Sequence, residues 1–248
     1  MSLDFSGQNL QRCFFKDQNL AGANFSYADI QGANFTNAML TGANLCSANL
    51  CGANLCGADL TDADLTDADL IDVYLRNAKI NESTKIDSKW RLAWEIVNQG
   101  SEGQNLSGAD LSGVNLYRVN LCRADLSNAN LVGTDLYNAD LSSANLSDAN
   151  LSGANLIDAD LYNANLSGAN LSDADLSNTN LRNVDLIDAN LIDANLSGAD
   201  LSYADLRNAY LIDANLIDAN LHGAKINEST KIDRKWLMSS SGDCQSGI

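Results

Sequence analysis

Proline is absent from the 248-residue chain, and histidine occurs once, at His222. Aromatic residues make up 6% of the sequence, and 15 basic residues face 32 acidic ones, which gives a formal net charge of −17. This acidity disfavours binding to nucleic acid or anionic membranes, because both require basic patches. The single histidine has no nucleophile and orienting group at a recognisable spacing, so the sequence predicts no catalytic residue and no enzyme.

Long apolar runs are also missing from the sequence. No stretch of 18 apolar residues exists to cross a bilayer. The opening residues, MSLDFSGQNL, have neither the basic nor the apolar region of a signal peptide. The six cysteines do not form the frame of a small secreted domain. We therefore expect a cytoplasmic protein that does not associate with membranes.

One repeated pattern fills most of the chain. A Leu, Phe or Ile (position i) recurs every fifth residue from Phe5 to Ile80 and again from Leu106 to Ile226, giving 16 and 25 pentapeptides. A small residue, nearly always Ala, lies at i−2, and polar residues predominate at i−1, i+1 and i+2. A period of five fits neither an α-helix nor a flat strand. The apolar residues share one interior only if the chain turns a corner in every pentapeptide, which predicts a β-solenoid.

The runs ANFSYADIQGANF and SGANLIDADLYNANLSGANL resemble the pentapeptide-repeat family. The resemblance implies an all-β solenoid, a right-handed quadrilateral β-helix with four pentapeptides in each coil. About ten coils are then expected. Two phenylalanine pairs, Phe5 with Phe25 and Phe15 with Phe35, are each separated by one such coil and should stack on opposite faces.

The repeat is interrupted at residues 81–105. The segment KINESTKIDSK (79–89) returns as KINESTKIDRK (225–235), and a tryptophan follows each copy. Asp87 is expected to N-cap a short helix in this insert. The apolar face of that helix follows the i, i+3, i+4, i+7 spacing: Trp90, Ala93, Trp94 and Val97. We expect Trp90, Trp94 and Trp236 to cover the apolar core, with a partner-binding helix as the alternative.

These features divide the chain into four parts: a first array (1–80), an insert (81–105), a second array (106–226), and a C-terminal cap with a disordered tail (227–248). About four coils are expected in the first array and about six in the second. Because the segment that precedes the helix of the insert is repeated near the C-terminus, a second helix there remains an open alternative. Two arrangements also remain open: one continuous solenoid, which we favour, or two separate stacks.

Three sets of outward side chains are candidates for a protein-binding surface. At the spacing of one coil, Tyr117, Tyr137 and Ile157 share one column, Ile192 and Ile212 share the next, and Asp173, Asp193 and Asp213 form an acidic ladder. Solubilising charge is the simplest interpretation of that ladder. Weak divalent-cation binding and protein docking are the alternatives, and the spacing of a specific calcium site is absent. We therefore assign no metal site and no cofactor.

Two other repeated residue types have structural interpretations. An amide ladder is expected from four asparagines at i−1: Asn130, Asn150, Asn170 and Asn190. Cys46, Cys51 and Cys56 occupy i+1 of successive pentapeptides and should lie outside on three different faces. Their C-x4-C spacing differs from that of zinc sites. With Cys13, Cys122 and Cys244 scattered elsewhere, we expect free thiols without a shared role.

The sequence thus favours a non-enzymatic structural or interaction protein, a rigid acidic β-helical rod that presents its faces to an unidentified protein partner. No cap precedes Phe5, and the open sheet edge there would allow a homodimer to form end to end. The resemblance implies an alternative, since some members of the family are acidic DNA mimics that bind DNA gyrase. The two arrays hold 25 acidic and nine basic residues. Over roughly 50 Å of stacked layers, their charge density is within about a factor of two of that of DNA.

Overall fold

The computed structural model describes residues 3–233 and residue 236. The chain divides into two compact units, Met1–Gln99 and Gly100–Ile248. In the described part, the elements longer than one residue are helix α1 (Ser88–Gln99) and the parallel strands β1 (Tyr210–Leu211) and β2 (Lys231–Ile232). The rest of both arrays consists of single β-bridges connected by turns.

Successive coils of each unit are held together by parallel bridges between residues 20 apart. The bridges begin with Asp4 to Asn24 in the first unit and with Asn105 to Asp125 in the second. They form at position i−1, whose neighbours at i−2 and i point inward. The N–H of position i then donates to the carbonyl of i−1 one coil later, as at 2.7 Å between Leu146 and Asn165. This period corresponds to four pentapeptides.

The interiors of both units are filled by the residues at i and i−2, as the pattern predicts. In the first unit Phe5 stacks on Phe25, and Phe15 stacks on Phe35, each with ring centroids 4.8 Å apart. Phe15 meets Phe25 edge to face at 5.6 Å, so the two stacks interlock across the interior. The stacking predicted for these four residues is confirmed.

Threonine replaces alanine inside the second unit at two places. Thr134 and Thr179 are fully buried at i−2. Each hydroxyl donates at 2.8 Å to the backbone carbonyl of an inward leucine, Leu111 and Leu156 respectively. Because each buried hydroxyl has a partner, these substitutions are compatible with the core.

Helix α1 covers the last coil of the first unit. It follows Asp87, whose carbonyl accepts the N–H of Arg91 at 2.9 Å. Its buried residues are Trp90, Ala93 and Ile96. Of the four residues predicted for the apolar face, Trp90 and Ala93 are buried, whereas Trp94 and Val97 are half-buried. Trp94 lies at one edge of the contact between α1 and the coil. The buried face of the helix is centred on Ala93, and Ile96 lies on the other side of that face.

The predicted C-terminal parts fall only partly on described residues. Residues 227–233 form a turn and strand β2, and Trp236 is half-buried. The expected disordered tail, the remainder of any second helix and Cys244 lie outside the described residues. In the described part of the chain, no helix has the length and apolar character needed to cross a membrane. The choice between a continuous solenoid and two stacks stays a prediction.

Candidate interaction surfaces

The corners of the coils determine which side chains face outward. Positions i+1 and i+2 form a turn in which i+2 takes the left-handed backbone conformation, as in Asp173, Asp193 and Asp213 with φ of +59°, +58° and +58°. Gly, Asn and Asp tolerate this conformation better than other residues, which explains their frequency at i+2. Side chains at i+1 and i+2 therefore form vertical columns along each corner.

The tyrosine column (Tyr117, Tyr137 and Ile157) lies on one such corner of the second unit. The rings of Tyr117 and Tyr137 stack with centroids 5.6 Å apart and planes 9° from parallel. The guanidinium of Arg118 lies 5.0 Å from the ring centroid of Tyr117, within the range of a cation–π contact. All three members of the column are half-buried. The predicted column is thus brought together as one continuous surface.

The carboxylate of Asp158 lies next to Tyr137, the second tyrosine of this column. The Tyr137 hydroxyl donates a hydrogen bond to Asp158, and the negative charge of that carboxylate disfavours a second anion nearby. Both effects raise the pKa of Tyr137. The repeat pattern by itself did not single out Asp158 as part of this surface. Its position in the repeat does predict that it lies near Tyr137, because Asp158 is at i+2 of the same corner one coil later.

The isoleucine column and the acidic ladder occupy the neighbouring corner. Ile192 is half-buried and Ile212 is 42% exposed. The backbone N–H of Asp173 donates to the carbonyl of Ile192 at 3.0 Å, and that of Asp193 donates to Ile212 at 3.1 Å. The three aspartates therefore occupy equivalent positions in successive coils, with exposed side chains. A further exposed isoleucine that was not predicted, Ile217, is 55% exposed on the tyrosine-column corner of the last coil.

The asparagines at i−1 form a chain of amide hydrogen bonds between coils. The Nδ2 of Asn190 donates to Oδ1 of Asn170 at 3.0 Å, and Asn170 donates to Asn150 at 3.1 Å. Asn130 instead donates to the carboxylate of Asp110 at 3.0 Å. Each amide Oδ1 also accepts a backbone N–H two residues later, for example Ser172 to Asn170 at 3.2 Å. These contacts bind the coils together and leave the amides little freedom to act on a ligand.

The cysteines and the histidine lie apart from these surfaces. Among the described cysteines, Cys46, Cys51 and Cys56 are free and half-buried at three successive corners. Cys13 and Cys122 are also free and half-buried. The exposed imidazole of His222 meets the ring of Tyr203 edge-on, with centroids 5.5 Å apart. The described residues include no group of three or more His, Cys, Asp or Glu side chains arranged to hold a metal ion.

The two tryptophans of α1 contact the first unit in different ways: Trp90 is buried, and Trp94 donates a hydrogen bond. Trp90 is 7% exposed and belongs to the core, while Lys89 lies over its ring with Nζ 4.9 Å from the centroid. The half-buried Trp94 donates its indole N–H to the carbonyl of Ala78 at 2.7 Å. Both tryptophans therefore fasten α1 to the first unit and contribute little surface to a partner. Trp236 occupies the corresponding place after the second copy of the repeated segment.

The first coil carries an exposed aromatic side chain that the sequence pattern did not single out. Phe14 is 83% exposed at position i−1, where Asn or Asp is usual. Leu3, in the same coil, is 49% exposed. No described residue accepts the backbone N–H groups of Asn9, Phe14 and Asn19, which are the groups that a preceding coil would use. The departure of Phe14 from the Asn/Asp consensus was the signal for this surface.

Comparison with known proteins places the chain among repeat proteins. A family model described as pentapeptide repeats matches eight copies, within residues 3–80 and 105–230. No curated protein matches the sequence significantly. Among solved structures, HetL of the cyanobacterium Nostoc sp. strain PCC 7120, involved in heterocyst differentiation regulation, is 33% identical over 92% of this chain and 93% of its own, with a TM-score of 0.46.

Two further structures represent other proteins of this kind. Rfr23 of the cyanobacterium Cyanothece 51142 is 34% identical over 53% of this chain and 89% of its own, with a TM-score of 0.35. QnrB1, a plasmid-mediated fluoroquinolone resistance protein, is 18% identical over 98% of this chain and 99% of its own, with a TM-score of 0.31. The repeats matched by the family model cover most of the sequence. The chain therefore belongs to the pentapeptide repeat family, whose fold is a right-handed β-helix.

Proposed function

We propose that this protein is a non-enzymatic interaction protein and that a protein partner contacts its tyrosine column. The stack of Tyr117 on Tyr137 is the observation that carries the proposal. A solvated corner needs only small polar residues, as Ser177 and Ser197 further along the same column illustrate. Half-buried aromatic rings beside an arginine are instead typical of protein interfaces. In this proposal the arrays form about four and about six coils, whose regular backbone holds the column in place.

Site-specific photo-crosslinking in the native cells tests this proposal. A photoreactive phenylalanine analogue at Tyr137 should yield a discrete adduct whose partner is identified by mass spectrometry. The same analogue at Tyr162, which is 44% exposed on a different corner, is the matched control and should yield none. With the purified partner, the variant Tyr117→Ser/Tyr137→Ser should bind at least about tenfold more weakly. Identical adducts at both positions, or unchanged affinity of the double variant, would contradict the proposal.

A homodimer through the first coil is the second part of the proposal. Its support is the exposed Phe14 beside backbone N–H groups that no described residue accepts. Such an edge can pair with a second copy of itself, since each copy supplies both donors and acceptors. Light scattering of the variant Phe14→Asn tests it.

The acidic ladder supports binding to DNA gyrase as a second candidate function. The carboxylates of Asp173, Asp193 and Asp213 are exposed at one corner of successive coils. At about 4.8 Å between layers, their axial spacing approaches the 3.4 Å of helix axis that each phosphate of one DNA strand occupies. A gyrase supercoiling assay at two salt concentrations tests this candidate. Inhibition that weakens with salt and is lost in the triple Asp→Asn variant would favour it, and no inhibition would exclude it.

A further inference from the structure

The two copies of the repeated segment end their arrays with the same contacts. The hydroxyl of Thr84 donates to the carbonyl of Leu60 at 2.9 Å, and the hydroxyl of Thr230 donates to that of Leu206 at 2.9 Å. A second matched pair of bonds joins side chains 19 residues apart: Asn81 to Asp62 at 2.9 Å, and Asn227 to Asn208 at 2.8 Å. The end of the second unit therefore repeats these contacts of the first at equivalent positions, at an offset of 146.

In the first unit, helix α1 is fastened to this end by hydrogen bonds of three side chains, Arg91, Trp94 and Asn98. The indole N–H of Trp94 donates to the carbonyl of Ala78 at 2.7 Å. The guanidinium of Arg91 donates to the carbonyl of Thr84 at 2.7 Å. The side chain of Ile96 on the same helix is buried, at 1% exposed. The surface that receives α1, with Leu75, Ala78, Ile80 and Thr84 at its centre, is named here the helix seat.

The counterpart of the helix seat in the second unit is more exposed. Leu221, Ala224 and Thr230 are each half-buried. Their equivalents in the first unit are buried: Leu75, Ala78 and Thr84 are 5%, 3% and 2% exposed. No described residue donates to the carbonyl of Ala224 or of Thr230. The acceptors that hold α1 in the first unit are thus present in the second without a described donor.

A groove marks the place where the arginine of α1 would enter. Its volume is about 550 Å³, and its lining includes Ile212, Ile226, Thr230 and Ile232. The charged residues of the lining are Glu228, Asp233 and Lys231, so acidic groups outnumber the one basic group and favour a cationic guest. In the first unit the guanidinium of Arg91 bonds to the carbonyl that corresponds to that of Thr230.

The chain does not repeat the side chains with which α1 fills the first seat. At the offset of 146, the counterpart of Arg91 is Leu237. The counterparts of Ala93, Trp94 and Ile96 are Ser239, Ser240 and Gly242. The segment that follows Trp236, LMSSSGDCQSGI, contains neither arginine nor a further tryptophan. The seat is therefore repeated in the sequence, whereas the side chains that occupy it are not.

We propose that the helix seat of the second unit binds an amphipathic α-helix of a partner protein. That helix carries an arginine followed three residues later by a tryptophan, as Arg91 and Trp94 do in α1, on the edge of an apolar face. The arginine enters the groove and donates to the Thr230 carbonyl, and the tryptophan donates to the Ala224 carbonyl. This site is separate from the tyrosine column and does not depend on the function proposed for it.

A peptide of the α1 sequence, SKWRLAWEIVNQG, is a direct probe of this seat. Fluorescence anisotropy of the labelled peptide titrated with the full chain should show saturable binding with a Kd on the order of 10 µM. The variant Ile212→Lys places a charge in the groove and should weaken binding at least about tenfold. Ile217→Lys is the matched control, since Ile217 is 55% exposed and does not line the groove. Peptides with Arg91→Ala or Trp94→Ala should also bind more weakly.

Four results would overturn the proposal. The first is no saturable binding to the full chain or to a chain lacking residues 237–248, and the second is equal binding by the two isoleucine variants. Binding only after removal of residues 237–248 would show that the chain's own C-terminal segment fills the seat. A dimer in light scattering that Ile212→Lys abolishes and Ile217→Lys retains would show that a second copy does. The variant Tyr117→Ser/Tyr137→Ser should bind the peptide normally, which separates this test from that of the tyrosine column.

Discussion

Lys85 donates to the carboxylate of Asp64 at 2.7 Å, across a coil that contains one residue more than the regular coils of the arrays. The backbones of the same two residues form the last bridge of the first unit, at a separation of 21 residues where the arrays use 20. The extra residue enters with the repeated segment, and the ion pair fixes the chain where the period changes. The Lys85 ammonium and the Thr66 hydroxyl both donate to this carboxylate and lower the pKa of Asp64 to about 2.

The Asp64 contact should make the stability of the first unit depend on pH. Because the pKa of Asp64 is lower in the folded chain than in the unfolded one, its stabilisation is present above pH of about 4 and is lost as the pH falls towards 2. The pair is partly exposed, so the loss should be below about 1 kcal/mol. The urea concentration at the midpoint of unfolding should fall less steeply with decreasing pH in Asp64→Asn than in the parent. Lys16→Met is the control, and an unchanged slope in Asp64→Asn would contradict the assignment.

The variant Trp94→Phe should loosen α1 without emptying its apolar contact. The phenyl ring retains most of the buried surface, but the carbonyl of Ala78 loses its indole donor. We expect a loss of about 1 kcal/mol in the free energy of unfolding, measured by urea denaturation. Gln99→Ala, at the exposed end of the helix, should change it by less than about 0.5 kcal/mol. Equal effects of the two variants would show that the indole bond contributes nothing.

Substitutions at position i+2 should show separately how backbone strain and how loss of charge affect the stability of the second unit. Asp193 has φ of +58°, a conformation that a β-branched residue adopts only at a cost. Asp193→Val should therefore destabilise the second unit by about 1–2 kcal/mol, while Asp193→Gly should remain within about 0.5 kcal/mol of the parent. Both variants remove the same charge, so thermal melting of the pair isolates the backbone effect. A valine variant as stable as the glycine variant would refute this explanation.

The exposed Phe14 should determine self-association of the chain. Asparagine is the common residue at its position, so Phe14→Asn should preserve the coil while removing the apolar contact. Light scattering at concentrations of tens of micromolar should give a dimer for the parent and a monomer for the variant. Tyr74→Asn, in the same column and 41% exposed, should remain dimeric. A monomeric parent, or a dimer that survives Phe14→Asn, would exclude association through this coil.

Much of the fold follows from the spacing of apolar residues alone. The stack of Phe5 on Phe25 could be predicted because inward residues one coil apart have one neighbour above and one below. The alignment of Tyr117 with Tyr137 follows from the same rule. Side-chain contacts that cross a corner are different, because they depend on rotamers. The bond from Tyr137 to Asp158 is of that kind, and periodicity gives no information on it. The burial of Ile96 on α1 has another reason: the helical spacing fits both Ile96 and Val97, and the contact with the last coil decides that Ile96 is the more buried.

The regular bridges between neighbouring coils have a consequence for changes in chain length. A duplication or loss of one whole coil within an array leaves every later side chain above its original column, so the surface is preserved as the stack grows or shrinks. Loss of a single pentapeptide between Tyr117 and Tyr137 would also keep the core pattern intact. It would, however, carry Tyr137 and everything after it to the adjacent corner, a quarter turn away. Evolution of such a chain can therefore vary its length in whole coils while keeping a binding surface, and can create new surfaces by shifting a fraction of a coil.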